Sequence, residues 1–318
     1  SFLNGLRMAF KKGFTNVNVF NCRMLGGTEL NTPKSRNQFG IKTKFRLINL
    51  CYGKYGDNIS IDHEEMITST DTMSEEEILS MRPVNWLVYL FWNYRYYLEA
   101  MKLALQLDVN PVDVILRVIE QLDASDGDLG RMYTHFEHES RNEWFATSEE
   151  LFAFYSHPDN FELLIGGEFA KLNMKYTTQV LFQYKSQMDD MVYGVLSDLI
   201  SDNVGSMREE YLGILGEIMR FSSLKTLDIR DWFAGDHGQE ISSEFNIDIL
   251  EWQHGGYHEP ILDSCCSIPI SYAFSLPPDQ HERLTAVARE NSYDVVDRSF
   301  MKMLEYIRID DMFLVVKK

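Results

Sequence analysis

The residue types that most often bind metal ions are concentrated in the C-terminal third of this sequence. His254 and His258 stand four residues apart, Glu259 follows them, and Asp236 and His237 precede them. Imidazole and carboxylate groups are common zinc ligands, and two histidines at this spacing share one face when they lie on a helix. Two glycines separate the histidines here, which argues against such a helix. The pattern therefore favours a polar loop, with a metal site as the alternative.

A second pair of histidines lies in a segment whose apolar spacing indicates a helix. His135 and His138 are three residues apart, and Arg131 and Arg141 flank them together with several acidic residues. Oppositely charged side chains at these spacings stabilise an exposed helix face. An ion-paired surface is the favoured interpretation.

Common sequence motifs for nucleophilic catalysis and for nucleotide binding are absent from the sequence. It has no serine nucleophile elbow, no phosphate-binding glycine loop and no dinucleotide fingerprint. Its four cysteines are Cys22, Cys51, Cys265 and Cys266, which form no disulfide framework, and adjacent cysteines bridge with difficulty. Cys22 is the last residue of a predicted strand, where a small buried residue is favoured over a reactive thiol. This cysteine usage predicts a reducing, cytoplasmic environment.

The elements that must position any site begin with residues 16–50. Residues 1–13 have helical apolar spacing that ends at Gly13, and Val17, Val19 and Phe20 predict a buried strand over 16–22. That strand is expected to open into a polar loop at Gly26, a frequent position for ligands in sheet-and-helix proteins. The helix and strand would form one αβ unit, which is either completed by strands from the rest of the chain or is a partial (βα) barrel unit, the tail of a larger barrel or sheet.

Composition excludes several classes of function. The chain has 318 residues, 45% of them hydrophobic, a formal net charge of −18 and an isoelectric point near 4.8. Such a charge opposes binding to nucleic acid, because the summed field repels phosphate. The longest apolar run, 86–92, is far shorter than the roughly 20 residues that span a bilayer. No signal peptide is visible, and the start at Ser1 predicts an excised or processed piece.

The rest of the chain predicts a helical domain between two small groups of strands. Strands are expected at 42–50, 59–68, 240–250, 266–276 and 312–316. Helices are expected near 74–107, 111–123, 128–145, 148–155, 158–173, 175–202, 206–224, 277–290 and 294–308. The predicted fold class is α+β, a mainly helical domain with a small antiparallel sheet, preceded by the partial barrel unit. The predicted domains are 1–50, 51–230 and 231–318.

Aromatic residues are unusually dense between Trp86 and Tyr97. We interpret them as the core of a helix bundle with one wall facing a cavity, in preference to a dedicated aromatic ligand site.

Three stretches of the chain, followed by a C-terminal strand-and-helix segment, are similar, in the same order, to a known family. Residues 1–47 read SFLNGLRMAFKKGFTNVNVFNCRMLGGTELNTPKSRNQFGIKTKFRL, residues 66–79 read MITSTDTMSEEEIL, and residues 143–168 read EWFATSEELFAFYSHPDNFELLIGGE. They resemble the end of the radical S-adenosylmethionine (SAM) barrel and the region beyond it in bacterial proteins that join a cobalamin-binding domain to a radical SAM domain. The resemblance implies that most of the chain is a C-terminal region of such a protein.

The family's initiating machinery has no counterpart in this sequence. The motif Cys-x-x-x-Cys-x-x-Cys, which in the family holds a [4Fe–4S] cluster that binds and cleaves SAM, is absent. We therefore expect no cofactor in this chain. SAM, the cluster and cobalamin are implied for the intact protein, whose missing barrel and cobalamin domains would be the partners of this region, together with an unidentified small-molecule substrate.

The resemblance implies site residues only at the loop after the first predicted strand. Gly26, Gly27, Thr28 and Glu29 match a segment near the mouth of the family's barrel, and Arg23 precedes them. These five are the predicted substrate- or SAM-facing residues, although a purely structural turn is the favoured alternative, and no catalytic residue carries over. The expected function is a substrate-covering accessory region of a methyltransferase-like enzyme, inactive alone. The alternative is a free-standing, non-enzymatic helical module that binds a ligand or a partner.

Overall fold

The structure is a computed structural model that describes residues 2–226, 240–290, 296–305, 308–309 and 314–318. Its contacts divide the chain into two compact units. The first unit comprises Ser1–Asn18, Leu87–Arg131 and Tyr176–Lys318, and the second comprises Val19–Trp86 and Met132–Lys175. The predicted domain ranges 1–50, 51–230 and 231–318 stay a prediction, although one strand runs through residue 50.

Helices account for most of the described elements. They are α1 (Phe2–Lys11), α2 (Pro33–Gln38), α3 (Glu75–Val88), α4 (Leu98–Gln106), α5 (Pro111–Asp123), α6 (Asp128–Asn142), α7 (Ser148–Ser156), α8 (Pro158–Ile165), α9 (Leu172–Gln183), α10 (Lys185–Val204), α11 (Arg208–Leu224), α12 (Ile249–His254), α13 (Pro278–Glu290) and α14 (Val296–Met303). The strands are β1 (Lys42–Tyr55), β2 (Asn58–Ser69), β3 (Ile241–Ile247), β4 (Cys265–Ser275) and β5 (Leu314–Lys317). The α+β class and its antiparallel pairing are confirmed.

The second unit is built on a long β-hairpin. Strands β1 and β2 pair antiparallel from Tyr55 opposite Asn58 to Lys42 opposite Ser69, and Gly56 takes a φ of 64° in the turn. One face of the hairpin packs against α7 and α8, around a core of five buried side chains: Ile61, Leu151, Tyr155, Phe161 and Leu164. Thr147 caps α7 by accepting a hydrogen bond from the backbone N–H of Glu150 at 3.1 Å, which satisfies a donor that the helix leaves unpaired.

The first unit has a helical core and a three-stranded sheet. Helix α5 buries Val112, Ile115, Val118 and Leu122, whose spacing of three and four residues places them on one face. The sheet has the order β3-β4-β5 and is antiparallel throughout. Phe221 of α11 lies 5.6–5.9 Å, between ring centroids, from three aromatic rings of that sheet: Phe245, Tyr272 and Phe274. Aromatic contacts of this kind join the helices to the sheet.

The predicted strand over 16–22 is wrong. This segment carries no strand, and pairing begins only with one antiparallel bridge between Arg23 and Met66 on β2. Phe20 is 76% exposed, although the alternating pattern predicts that it is buried. A strand requires a neighbour along its length, and apolar alternation alone cannot supply one. Helix α1 therefore forms as expected, but it does not complete a barrel unit with the following segment.

The predicted helix over 74–107 is interrupted. Helix α3 ends at Val88, a π-helical turn covers Tyr89–Asn93, and α4 begins only at Leu98. Arg95, between them, has a φ of 61°, which helical backbone does not adopt. Two further helix predictions are too long. The helix predicted at 158–173 ends at Ile165, and the helix predicted at 175–202 is divided into α9 and α10. The helices predicted at 111–123 and 277–290 are confirmed, the second beginning one residue later, at Pro278. In the part of the chain that the structure describes, no helix is long and apolar enough to cross a membrane.

Candidate functional site

The predicted site begins at a tight turn in the second unit. The backbone N–H and the hydroxyl of Thr28 both donate to the carbonyl of Leu25, at 3.3 and 2.8 Å. Gly27 takes a φ of 78°, which the third position of a type II turn requires and which glycine adopts without strain. Thr28 therefore closes the turn with its own side chain.

The exit of this loop is fixed to the hairpin. The hydroxyl of Ser35 donates to the carbonyl of Glu29 at 2.8 Å, and Thr32 caps α2 by accepting from the backbone N–H of Ser35. From α2, Nη2 of Arg36 donates to both carboxylate oxygens of Glu65 on β2, at 2.7 and 2.8 Å. These contacts hold the loop in one shape and leave the side chain of Glu29 exposed.

Next to the loop, charged residues alternate in a row that we call the arginine–glutamate array. Its members, in spatial order, are Arg23, Glu64, Arg46, Glu143 and Arg82. Nε of Arg23 lies 2.7 Å from Oε2 of Glu64, and Nε of Arg46 donates to Oε1 of the same carboxylate at 2.6 Å. Nη1 of Arg46 donates to Oε1 of Glu143 at 3.3 Å, and Nη1 of Arg82 donates to the same oxygen. Every carboxylate of the array thus lies between two guanidinium groups.

The inner end of the array is buried against an indole ring. The guanidinium carbons of Arg46 and Arg82 each lie 5.7 Å from the ring centroid of Trp144. Burial alone would raise the pKa of Glu143, because it favours the neutral carboxyl group. Arg82 and Arg46 oppose burial through their positive charges and their hydrogen bonds, and the net effect is a lowered pKa. Burial lowers the pKa of Arg46, while Glu143 and Glu64 produce a net rise. Glu143 and Arg46 are therefore both charged near neutral pH.

The five predicted residues lie together in this region. Arg23, Gly26, Gly27, Thr28 and Glu29 are all exposed. Among them, Arg23 alone joins the array, while Gly27 and Thr28 shape the turn. The arrangement can bind or orient a polar group, and it contains no nucleophile with an adjacent general base.

The other candidates do not assemble into a metal site within the described residues, where no group of three or more histidine, cysteine, aspartate or glutamate side chains converges. His254 ends α12 and His258 lies in the following turn, while Asp236 and His237 fall outside the described residues. Nε2 of His138 lies 2.9 Å from Nδ2 of Asn142 on the same helix.

The four cysteines are free thiols, and Cys22, Cys51 and Cys265 are exposed. The expectation that Cys22 is buried is wrong, because the strand that would bury it does not form.

The first unit contains a buried polar centre that sequence reasoning missed. Nζ of Lys225 donates to Oε2 of Glu99 at 2.8 Å and to the carbonyl of Arg95 at the same distance. Nε2 of Gln253 donates to the other oxygen of Glu99 at 2.6 Å. Glu99 is fully buried, and the side chain of Lys225 is 3% exposed. The signal in the sequence is a single glutamate within the apolar run of α4, and its cation lies 126 residues away.

A partly buried carboxylate, that of Asp189, lies on α10. The hydroxyl of Tyr97 donates to Oδ1 of Asp189 at 2.6 Å, and that of Tyr96 donates to the same oxygen at 2.9 Å. Burial raises the pKa of Asp189, and hydrogen bonds from Tyr97 and Tyr96 oppose that rise. Burial also raises the pKa of both phenols, so they remain donors. Both tyrosines are inaccessible to solvent, so they act as internal donors that fix α10 to the segment before α4.

The dense aromatic segment belongs to the cores of the two units. Trp86 packs on Phe136 in the second unit, with 5.0 Å between ring centroids. In the first unit Trp92 packs on Phe10, and the side-chain amide of Asn93 binds both backbone groups of Val17 at 2.9 and 3.0 Å. Apart from Tyr89, the aromatic residues of this segment are buried. Within the described residues they leave no aromatic wall for an apolar ligand, and the predicted cavity wall is wrong.

Comparison of the chain with protein-family models gave no match, and neither did a search of curated protein sequences. The function is therefore inferred from the residues and their geometry.

Proposed function

We propose that this chain is the C-terminal accessory region of a radical SAM enzyme, of the cobalamin-dependent methyltransferase-like kind, and that the loop from Arg23 to Glu29 faces the substrate. The supporting observation is the loop itself. It is exposed and glycine-containing, its shape is fixed by hydrogen bonds at Thr28 and Ser35, and it lies beside an arginine-rich array. A rigid polar loop is suited to binding and orienting a substrate group, because little conformational freedom is lost on binding.

Exposed apolar side chains around the loop also support the proposal. Phe20, Leu25 and Phe39 are 76%, 58% and 47% exposed, and all three belong to the second unit. Large apolar side chains on a surface are characteristic of interaction sites. In the proposal, the barrel of the parent protein covers them, and the loop then lies at the barrel mouth.

The proposed division of labour follows from the residues present. In the intact protein the cluster, SAM and cobalamin would supply radical initiation and methyl transfer. This chain would contribute the array and the loop, which hold a polar substrate group, and apolar surface, which excludes water. The chain alone is then inactive.

The test uses the complete native reading frame that contains this sequence. We expect it to encode a Cys-x-x-x-Cys-x-x-Cys segment before Ser1, and we expect the full protein, reconstituted anaerobically, to convert SAM to 5′-deoxyadenosine. The isolated chain should show neither cluster absorbance nor SAM cleavage. A reading frame without the motif, or SAM cleavage by the chain alone, would contradict the proposal.

A pair of variants tests the covered surface in the full protein. Phe20→Asp should reduce SAM cleavage, because it places a charge in the interface with the barrel. Tyr55→Asp, at the hairpin turn, changes an equally exposed aromatic residue (72%) and should leave cleavage unchanged. Equal effects of the two variants would remove the support that the exposed residues give.

The second candidate is a free-standing helical module that binds a protein partner. The observation that favours it is a set of exposed apolar residues on α7 and α8, which are Phe152, Leu163 and Ile165. A reading frame without the cluster motif would favour this candidate over the first.

A further inference from the structure

The array contains more positive charge than its own carboxylates neutralise. Three guanidinium groups face two carboxylates, so the array carries a net charge of about +1 at neutral pH within a chain whose formal net charge is −18. A purely structural network tends towards matched charges, because an uncompensated buried charge is costly. The surplus guanidinium group leaves the array able to accept one additional anion.

The contacts of the outermost arginine leave its terminal nitrogens uncommitted. Nε of Arg23 is within ion-pair distance of Glu64, but its angle does not satisfy a hydrogen bond, and Oε2 of Glu64 is buried without one. Among the described residues, Nη1 and Nη2 of Arg23 have no hydrogen-bond acceptor. The guanidinium group of Arg36 on α2 differs, because its Nη2 donates to both carboxylate oxygens of Glu65 and to Asn31. Arg23 is therefore positioned by charge while its terminal fork stays free.

The fork is also accessible. The side chain of Arg23 is 53% exposed, whereas those of Arg46 and Arg82 are 25% and 9% exposed. The two parallel donors of a guanidinium fork match the two oxygens of a carboxylate or a phosphate. The two inner arginines are fixed by Glu143 and Trp144, so they contribute positive potential without having to move.

We propose that the outer end of the array is a binding site for an oxyanion, the carboxylate or phosphate group of a small molecule, and that the fork of Arg23 binds it. The carboxylate of Glu64 lies between the guanidinium groups of Arg23 and Arg46. Its negative charge also weakens the attraction for the anion. That the oxyanion belongs to the substrate of the parent enzyme rests on the proposed function; that an oxyanion binds does not.

The experiment titrates the full 318-residue chain with inorganic phosphate and, separately, with succinate, at constant ionic strength set by chloride. The fluorescence of Trp144 reports binding, because its ring contacts the two inner arginines. We expect a saturable change with at least one probe and no such change in the Trp144→Phe variant. Saturation by phosphate alone or by succinate alone identifies the class of oxyanion. The absence of saturation with both probes overturns the proposal.

Matched variants separate a binding site from a structural ion pair. Arg23→Gln should weaken binding of the saturating probe by about tenfold, the loss expected for one charge-assisted contact. Arg117→Gln removes an equally exposed arginine, 58%, that pairs with Glu120 in the first unit, and it should change affinity by less than about twofold. Equal affinity of the Arg23→Gln and unmodified proteins refutes the assignment of the fork.

A third variant gives a readout that a structural role does not predict. Glu64→Gln removes a competing negative charge, so we expect tighter binding of the probe and a steeper dependence on chloride concentration, even where the variant is less stable. Unchanged or weaker binding by a folded Glu64→Gln protein contradicts the proposal. Because these titrations contain no SAM, their failure leaves the proposed function standing, and failed SAM cleavage leaves the anion site standing.

Discussion

Removing the cation from the buried ion pair of the first unit should cost more stability than any surface substitution in the chain. The change is Lys225→Met, which keeps most of the length of the side chain and deletes its charge. Glu99 is then fully buried without its counter-ion, and the carbonyl of Arg95 loses a donor at 2.8 Å. Breaking a buried pair from one side typically costs about 3–5 kcal/mol.

The contact that Glu99 keeps in the variant determines where in this range the loss of stability should fall. Nε2 of Gln253 still donates to Glu99 at 2.6 Å, and this remaining contact partly stabilises the carboxylate. We therefore expect a loss near the lower end, about 3 kcal/mol in the free energy of unfolding. Since domains of this kind are stable by about 5–15 kcal/mol, the variant should still fold.

Urea denaturation followed by far-UV circular dichroism measures this loss. The control is Lys317→Met, which breaks an ion pair with Asp248 at a position 51% exposed and should cost less than about 1 kcal/mol. The double variant Lys225→Met, Glu99→Leu should be more stable than Lys225→Met alone, because no buried charge remains. A loss below about 1 kcal/mol for Lys225→Met, or a double variant less stable than the single one, would refute the reasoning.

Three further predictions concern single side chains. Glu143→Gln should cost about 3–5 kcal/mol at pH 7. Since the folded-state pKa of Glu143 lies below its ordinary value of 4.5, this contribution is present above the unfolded-state pKa and is lost as the pH falls through the folded-state pKa. The difference between the urea midpoints of the two proteins should therefore narrow as the pH falls below 4.5. Asp189→Asn has the opposite sign: burial raises the pKa of Asp189 above 3.8, so the cost of ionising it grows as the pH rises from the unfolded-state pKa to the folded-state pKa. Relative to the unmodified protein, this variant should gain about 1.4 kcal/mol for each pH unit between those two pKa values and nothing more above them, which urea midpoints measured from about pH 4 to about pH 8 will show. Gly27→Ala should cost about 1 kcal/mol in thermal denaturation because of its positive φ, whereas Gly26→Ala, with open space around it and no positive φ, should change stability by less than about 0.5 kcal/mol.

Local signals in the sequence were sufficient for most helix starts. Pro111 after Asn110 predicts α5, and the structure shows the asparagine side chain accepting from the backbone N–H of Val112 at 3.0 Å. Ser74 and Glu77, at the spacing of a capping box, each bind the other's backbone N–H. These motifs act within four residues, so a single sequence contains all the information that they need.

The interruption after α3 has no such local signal. Pro83 lies inside α3 without ending it, whereas the α-helix ends before Tyr89, in a run of residues that contains neither proline nor glycine. The contacts at the π-helical turn come from far away in the chain: Trp92 donates to the carbonyl of Phe14, and Asn93 binds Val17. Tertiary contacts therefore override helix propensity at this point.

The array shows most clearly why the candidate site was only partly predictable. Near the hairpin turn Tyr52 lies opposite Ile61, and continuing that register would place Ile67 opposite Arg46. An irregularity intervenes, because the five steps from Leu47 to Tyr52 stand opposite only two steps on β2. The three extra residues bring Glu64 opposite Arg46.

An odd shift also exchanges the two faces of a strand. The ion pair at the centre of the array thus depends on a bulge that apolar alternation does not encode. Its outer and inner arginines come from a loop and from α3, and Glu143 lies 97 residues from Arg46. The sequence could indicate Arg23 only through its neighbours in the loop. The register of β1 on β2 is what places Glu64 beside Arg46, and Arg23 is the accessible end of the arginine–glutamate array because it pairs with Glu64.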